Sequence, residues 1–501
     1  MLTDCLLLTA MDFQAYTLSH RPEWACIQAK APEAHGRTPV HLCCLIDTSA
    51  SMRHEKKLDN VKHSLHYLLD FLGPEDMLSL VTFSSQAFVA FKQLLVTEEE
   101  RENIRARISI LRDDNNTNLS AGLILARETL LGADDVGSRK QGILLLTDGH
   151  ANMGTTRPDF LMDIVRNTIG LFPGTSISSI GYGTDHNVEL IQQISAVGGG
   201  SYYVVNNLDD VATVFGDVLG GLASCTLQQI RVILPPQCEL RSRYAVKADK
   251  TATEVTIGDL PAGTSAVFLA RIPTHTALTV KGFNLANMYE FDIAGRVVLV
   301  DDEEHRVNGE AHYLRFDVLG LLDRARELLT HSAEMEGRNV ESEVVGVVAL
   351  LRAQIQNITE YRQQHPHSLW DVLVDELQSA KRYLERRRYL AADTPRIMSQ
   401  HTSFLGRMRG IAASSTDPSE APAHPVLQSI FSNTIQRGIS SQLHEVVSAS
   451  QMDAEESAPS SSSPLARPPF PADHYEEVTQ PPSEPGAAPL RLSRQSTLHR
   501  S

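Results

Sequence analysis

Apolar positions along this chain follow three successive patterns, and each predicts a different architecture. From Val40 onward, short all-apolar runs alternate with stretches of helical spacing. Val40-His41-Leu42-Cys43-Cys44-Leu45-Ile46 reads as a strand buried on both faces, as in a parallel sheet covered by helices. Leu58, Val61, Leu65, Leu68, Leu69 and Leu72 then recur at helical spacing until Gly73-Pro74 stops them. Met77–Phe83 is the next strand, and Phe88–Phe91 is a short edge strand. Thr97 with Glu100 forms a capping box that opens a helix through Leu111. The polar loop Asp113-Asp114-Asn115-Asn116-Thr117-Asn118 leads into a helix over Leu119–Leu131. A second buried strand, Gly142–Thr147, is followed by helix Pro158–Leu171, strand Ser176–Tyr182, helix Val188–Ala196, strand Tyr202–Val205 and helix Leu208–Leu222. The alternation predicts an α/β domain over residues 38–223, built on a doubly wound, mostly parallel sheet.

The flanks have other periods. Residues 224–312 carry short strands, Leu227–Leu234, Glu254–Ile257, Ala266–Ile272 and Arg296–Val300, separated by turns such as Leu260-Pro261-Ala262-Gly263. This is β-sandwich patterning. Residues 1–37 hold only two β-like pieces, Leu6–Met11 and Trp24–Ala29. Two strands alone make no stable core. They are therefore expected to complete the sandwich, with the α/β domain inserted between its strands. Residues 313–412 read as helical, with one helix marked by Leu314, Val318, Leu321, Leu322, Ala325 and Leu328 and others at Val344–Ile358 and Trp370–Tyr389. Residues 413–501 turn to Ser, Pro and Ala, a composition that predicts a disordered tail. Val426–Ile439 stands out within it as a short amphipathic piece.

Composition narrows the function classes. A formal net charge of −16 argues against nucleic-acid binding, which needs clustered Lys and Arg. The six cysteines, Cys5, Cys26, Cys43, Cys44, Cys225 and Cys238, include no CxxC pair, so no zinc ribbon or RING-like site is encoded. The N-terminus lacks a basic region before its short apolar run, and no apolar run reaches the ~20 residues needed to span a bilayer. The sequons at Asn115 and Asn118 flank Thr117, where a glycan would obstruct the site described next. These features predict a cytoplasmic protein without a membrane span.

Candidate chemistry sits at the ends of the buried strands. Asp47, Ser49 and Ser51 fall just past the Val40 strand, at the sheet edge where open α/β sheets bind ligands. Three oxygen side chains at i, i+2 and i+4 on a tight turn can converge on one point. With no nitrogen or sulfur ligand beside them, they suit a hard cation, Mg²⁺ ahead of Ca²⁺, Mn²⁺ or Zn²⁺. Thr147-Asp148-Gly149 ends the second buried strand in the same way, and Thr117 opens a helix on the same edge. Taken singly, each is ordinary turn chemistry. Asp113 and Asp114 read as a solvated loop, and His54 and His150 as solvated or partner-facing.

Together, in this order, these stretches resemble the metal-ion-dependent adhesion site of von Willebrand factor A domains, over roughly Val40 to Leu222. The resemblance implies one divalent cation. Ser49, Ser51 and Thr117 would ligate it directly, and Asp47 and Asp148 directly or through water. It further implies an open position that a Glu or Asp carboxylate of a protein partner fills. Ala50 stands where that family usually has glycine; were a positive φ needed there, the turn would be strained. The wider layout resembles inter-α-trypsin inhibitor heavy chains. It is closer to intracellular eukaryotic A-domain proteins that include plant RING ubiquitin ligases, whose closing segment Tyr389–Ser399 resembles. The RING is missing.

The expectation is a non-enzymatic scaffold that binds a protein partner. A metal-dependent hydrolase or phosphotransferase is the competing class. Lys56 and Lys57 follow Asp47, yet no glycine loop and no Gly-x-Ser-x-Gly elbow accompany them. A non-catalytic subunit of a ubiquitin-ligase assembly is a third, by analogy alone.

Overall fold

The computed structural model describes residues 11–33, 36–114, 116–130, 139–172, 174–183, 186–205, 208–331, 340–386, 410–412 and scattered positions between 433 and 444. Residues 6–10 of the first β-like piece, Asn115, the Tyr389–Ser399 segment and most of the stretch from 413 lie outside them.

The first two strands are β1 (Asp12–Leu18) and β2 (Arg21–Lys30), an antiparallel hairpin. The strand Asp12–Leu18 is not among the pieces read from the sequence; the expected piece Leu6–Met11 lies, apart from Met11, outside the described residues. The α/β domain follows, with β3 (Val40–Asp47), β4 (Met77–Phe83), β5 (Ala87–Leu95), β6 (Lys140–Thr147), β7 (Ser176–Tyr182) and β8 (Gly199–Val205). Their spatial order is β5-β4-β3-β6-β7-β8, parallel except for the antiparallel edge strand β5. Every residue of β3 and β6 is buried, which is why each carries a long apolar run, Leu42–Ile46 and Gly142–Leu146, that ends in a polar residue. Leu58, Val61, Leu65, Leu68 and Leu69 of helix Lys57–Phe71 bury against one face of the sheet. Leu119, Leu123, Ala126 and Leu130 of helix Leu119–Leu130 bury against the other. Helix Glu98–Ser109 starts after Thr97 as expected, but the Thr97 side chain makes no capping bond.

The remaining strands are β9 (Cys225–Leu234), β10 (Glu239–Arg241), β11 (Ala245–Ala248), β12 (Thr253–Pro261), β13 (Thr264–Arg271), β14 (Ala277–Asn284), β15 (Tyr289–Arg296) and β16 (Gly410–Ala412). One sheet has the order β1-β2-β13-β10, with β16 also paired to β13; the other is β11-β12-β9-β14-β15. Ala25, Ile27 and Ala29 of β2 meet Ile230, Val232 and Val280 in the shared core. The other face of β2, with Trp24 and Cys26, packs under Tyr313 and Phe316 of helix Glu303–His331. Helices Glu303–His331, Val340–Arg362 and Leu369–Arg386 enclose their own core around Leu322, Leu351, Trp370 and Leu377. The expected strand Arg296–Val300 is only a bridge, Tyr16 to Val298, because Val298 and Leu299 are exposed. Thr38 N–H donates to Ala223 O at 2.7 Å and its hydroxyl to Cys225 O at 3.1 Å. The chain thus enters and leaves the α/β domain at one point, as an insertion into the sandwich requires.

From 413 onward, the described residues include a buried latch. Asn433 and Gln436 cap one another reciprocally, each backbone N–H donating to the other's side-chain oxygen at 2.8 Å. Asn433 Nδ2 also donates to Ser224 Oγ and Ala262 O, and Gln436 Nε2 to Asp217 O. Among the described residues, no helix is long and apolar enough to cross a membrane.

Candidate metal centre

Strand pairing builds the centre. Ile46 of β3 lies opposite Leu146 of β6, so Asp47 and Thr147 leave the two central strands side by side. This is where the strand order reverses, the crevice in which doubly wound sheets bind ligands. Asp47 is fully buried. Its Oδ1 accepts from Ser49 N–H at 2.8 Å, and its Oδ2 from the Thr147 hydroxyl at 2.5 Å. The first bond is an Asx turn that folds Ser49 and Ser51 back toward the carboxylate. Their hydroxyl oxygens lie 3.0 Å apart. Thr147 Oγ1 also accepts from Gly149 N–H at 2.8 Å, so one hydroxyl ties both strand ends together. Gly149 has φ +73°, and a Cβ there would stand 2.6 Å from Ile191 Cδ1, so the turn after Asp148 requires glycine.

The third loop is laid against the first. Asp114 N–H donates to Thr48 O at 2.7 Å, and Asn118 N–H to Ser84 O at 2.7 Å. Thr117 is buried between them. Its N–H donates to Asn152 Oδ1 at 2.8 Å, and its carbonyl accepts from the N–H groups of Asn152 and Met153. The loop after Asp148 thus clasps the Thr117 backbone. Sequence reasoning missed Asn152, an unremarkable loop residue.

Asp148 is fully buried, and neither of its oxygens has a hydrogen-bond partner among the described residues. Lys57 Nζ stands 3.7 Å from Asp148 Oδ2, with its side chain 3% exposed. Lys57 was visible in the sequence only as a competitor for phosphoryl chemistry. Its spacing with Val61, Ser64 and Leu68 places it on the buried stripe of its helix, a signal that periodicity does contain. Burial, followed by the negative charge of Asp148, pushes Asp47 up to about 6.

This donor set fits a hard cation. Two buried carboxylates, one with no hydrogen bond, are costly unless a positive charge meets them. Among the described residues no three His, Cys, Asp or Glu side chains cluster, so a cation here depends on hydroxyl oxygens. Ala50 is not among the residues with positive φ, so the strain expected there is absent; Glu55 and Lys56 adopt the left-handed conformation instead, at φ 53° and 54°. Asp113 is engaged by Arg53 Nε at 2.8 Å and Asp114 by the Ser84 hydroxyl at 3.1 Å. His54 and His150 are exposed. A cavity of about 540 Å³ lies at the opposite edge of the sheet, lined by Lys140, Gly174, Ser176 and Asp259, away from this centre.

Comparison with known proteins bears on the same segment. The family model for the von Willebrand factor type A domain matches residues 41–217. Inter-alpha-trypsin inhibitor heavy chain H3 of Rattus norvegicus is 33% identical over 172 residues, covering 33% of this chain and 19% of that protein. The uncharacterized protein YfbK of Escherichia coli is 29% identical over 189 residues, 38% of this chain and 32% of that protein. The similarity thus spans about a fifth to a third of these relatives' length. A solved von Willebrand factor type A structure from Catenulispora acidiphila is 16% identical with a TM-score of 0.49, covering 64% of this chain and 81% of that one. Residues 41–217 of this chain are a von Willebrand factor type A domain.

Proposed function

We propose that this chain is an intracellular, non-enzymatic scaffold whose A domain holds one divalent cation and captures an acidic residue of a protein partner through it. Domains of this family generally mediate protein–protein interaction. Mg²⁺ is the favoured ion, with Ca²⁺ or Mn²⁺ as alternatives, held by Asp47, Ser49, Ser51, Thr117 and Asp148. The observation that carries the reading is the Asp148 carboxylate, buried beside Asp47 with neither oxygen hydrogen-bonded among the described residues and only the Lys57 ammonium, at 3.7 Å, set against it. The bound ion would supply an electrophilic point for a partner's Glu or Asp. The chain's own contribution is to preorganise the ligands: Thr147 orients Asp47, the Asx turn folds the serines inward, and Asn152 fixes the Thr117 backbone. The 540 Å³ cavity lies elsewhere, so a macromolecular carboxylate arriving from outside suits the centre better than an enclosed substrate. The intracellular reading is supported by Cys26, Cys43, Cys44, Cys225 and Cys238, all unpaired.

Capture of a protein partner from cell lysate should depend on Mg²⁺ and be lost in EDTA. It should also be lost in Asp148→Ala, with circular dichroism showing an unchanged fold. Capture that survives both treatments would contradict the reading.

A further inference from the structure

A groove of about 450 Å³ adjoins the candidate metal centre. It is lined by Thr82 of β4 and Ala90 of β5, by Thr48, and by Arg107, Ile110 and Arg112 at the end of helix Glu98–Ser109. Thr48 stands between Asp47 and Ser49, and its carbonyl accepts from Asp114 N–H in the loop that leads to Thr117. Groove and centre thus share the Thr48 turn. Thr82 pairs with Phe88 across β4 and β5, so Phe88 and Ala90 lie on the same sheet face as Thr82. Phe88 is 57% exposed and Ile110 73%, although Leu111 is buried and already anchors that turn in the core. A single exposed apolar side chain needs no explanation, but two beside one groove do. The charges agree. In a chain of net charge −16, Arg53 is met by Asp113, Arg101 by Glu98 and Arg105 by Asp70. Arg107 donates instead to Ala90 O and Asn103 Oδ1, at 3.1 Å each, and Arg112 is exposed; neither has a carboxylate partner among the described residues. The helix dipole accounts for Arg107 in the last turn, but Arg112 lies beyond it.

Resting on the metal reading above, we infer that this groove is the second half of the partner surface, and that its occupant is an extended acidic segment of a protein partner. One carboxylate of that segment sits on the ion. An apolar side chain next to it covers Ile110 and Phe88, and a further carboxylate meets Arg107 and Arg112. An extended chain suits this arrangement because its alternate side chains share one face, so acidic and apolar groups can be sorted between ion, groove and arginines. The ion alone attracts any exposed carboxylate; the groove supplies the choice among them. Burial of Ile110 and Phe88 adds affinity only for segments that carry the apolar group, and the arginines add encounter rate for acidic ones.

The test is fluorescence polarisation of the full chain with a labelled, capped peptide of alternating aspartate and leucine, in magnesium and in EDTA. A matched peptide has serine in place of each leucine. Wild type should bind the leucine peptide in magnesium only. Ile110→Ser, at an exposed position, should weaken that binding on the order of tenfold. It should leave binding of the serine peptide and the magnesium-induced shift of the thermal midpoint unchanged. Arg112→Gln should weaken both peptides severalfold and flatten their salt dependence. Equal affinity of wild type and Ile110→Ser for the leucine peptide, with a normal magnesium shift, overturns the inference and leaves the metal reading standing. An equal loss for both peptides also overturns it, since the effect would not pass through the apolar contact. So does binding that persists in EDTA. Magnesium-dependent self-association lost in Ile110→Ser would assign the groove to a second copy of the chain and overturn the choice of partner. No magnesium shift in wild type overturns both readings.

Discussion

At the scale of single residues, Asp47 is where burial and charge oppose each other most directly. In an unfolded chain a carboxyl titrates at ~3.9; burial and then Asp148 push Asp47 up to about 6. The folded state therefore holds this proton more tightly than the unfolded chain does. The stabilisation is present below ~4 and is lost as pH rises through 6. Asn in its place can accept from Ser49 N–H, and its amide can donate to Thr147 Oγ1 once that hydroxyl rotates. In EDTA near neutral pH, Asp47→Asn should thus be more stable than wild type by about 3 kcal/mol in urea unfolding. The advantage should shrink toward zero near pH 4; a pH-independent difference would contradict the assignment. Four of the five candidate ligands, Asp47, Ser49, Ser51 and Asp148, were legible because each follows a buried strand after a fixed number of residues. Thr117 was legible only through the resemblance. The strained pair Glu55-Lys56 was not, because neither residue type advertises left-handed backbone.

At the scale of elements, the α/β alternation was readable throughout, since strands buried on both faces leave long apolar runs. The sandwich was harder. Edge strand β15 has no fully buried residue and so carries little alternating signal, whereas the apolar Val297–Val300 mimicked a strand that the backbone does not form. β1 was missed because Asp12, Gln14 and Thr17 dilute the apolar signal of Asp12–Leu18. The latch at Asn433 and Gln436 falls inside the amphipathic piece Val426–Ile439 that the sequence set apart, but its buried amide contacts were not legible there. Its seat is Gly220 on helix Leu208–Ala223, where a Cβ would stand 2.6 Å from Gln436 Cα. In a bare helix, Gly→Ala stabilises by ~1 kcal/mol. Here Gly220→Ala should do the reverse. It should displace the latch, lower the thermal midpoint and speed tryptic cleavage after Arg437. A higher midpoint with unchanged cleavage would show that the latch does not rest on this glycine.

At the scale of the whole molecule, the α/β domain is an insertion whose two chain crossings meet at Thr38, Ala223 and Cys225. A second tie lies nearby, where buried Lys140 of β6 pairs with Asp259 of β12 at 2.5 Å. Both ties sit at the edge of the sheet where β6 begins, opposite the edge that carries the candidate metal centre. The insertion could be inferred from sequence because two N-terminal strands had nothing else to pair with. A net charge of −16 attracts divalent cations non-specifically, so metal binding alone is weak evidence for a site. A comparison at nearly constant net charge is needed. The decisive measurement is the magnesium-induced shift of the thermal midpoint in wild type and in Asp47→Ala, in otherwise identical buffers. The proposed centre predicts a saturable rise in wild type and none in the variant; equal shifts in both would place the ion elsewhere.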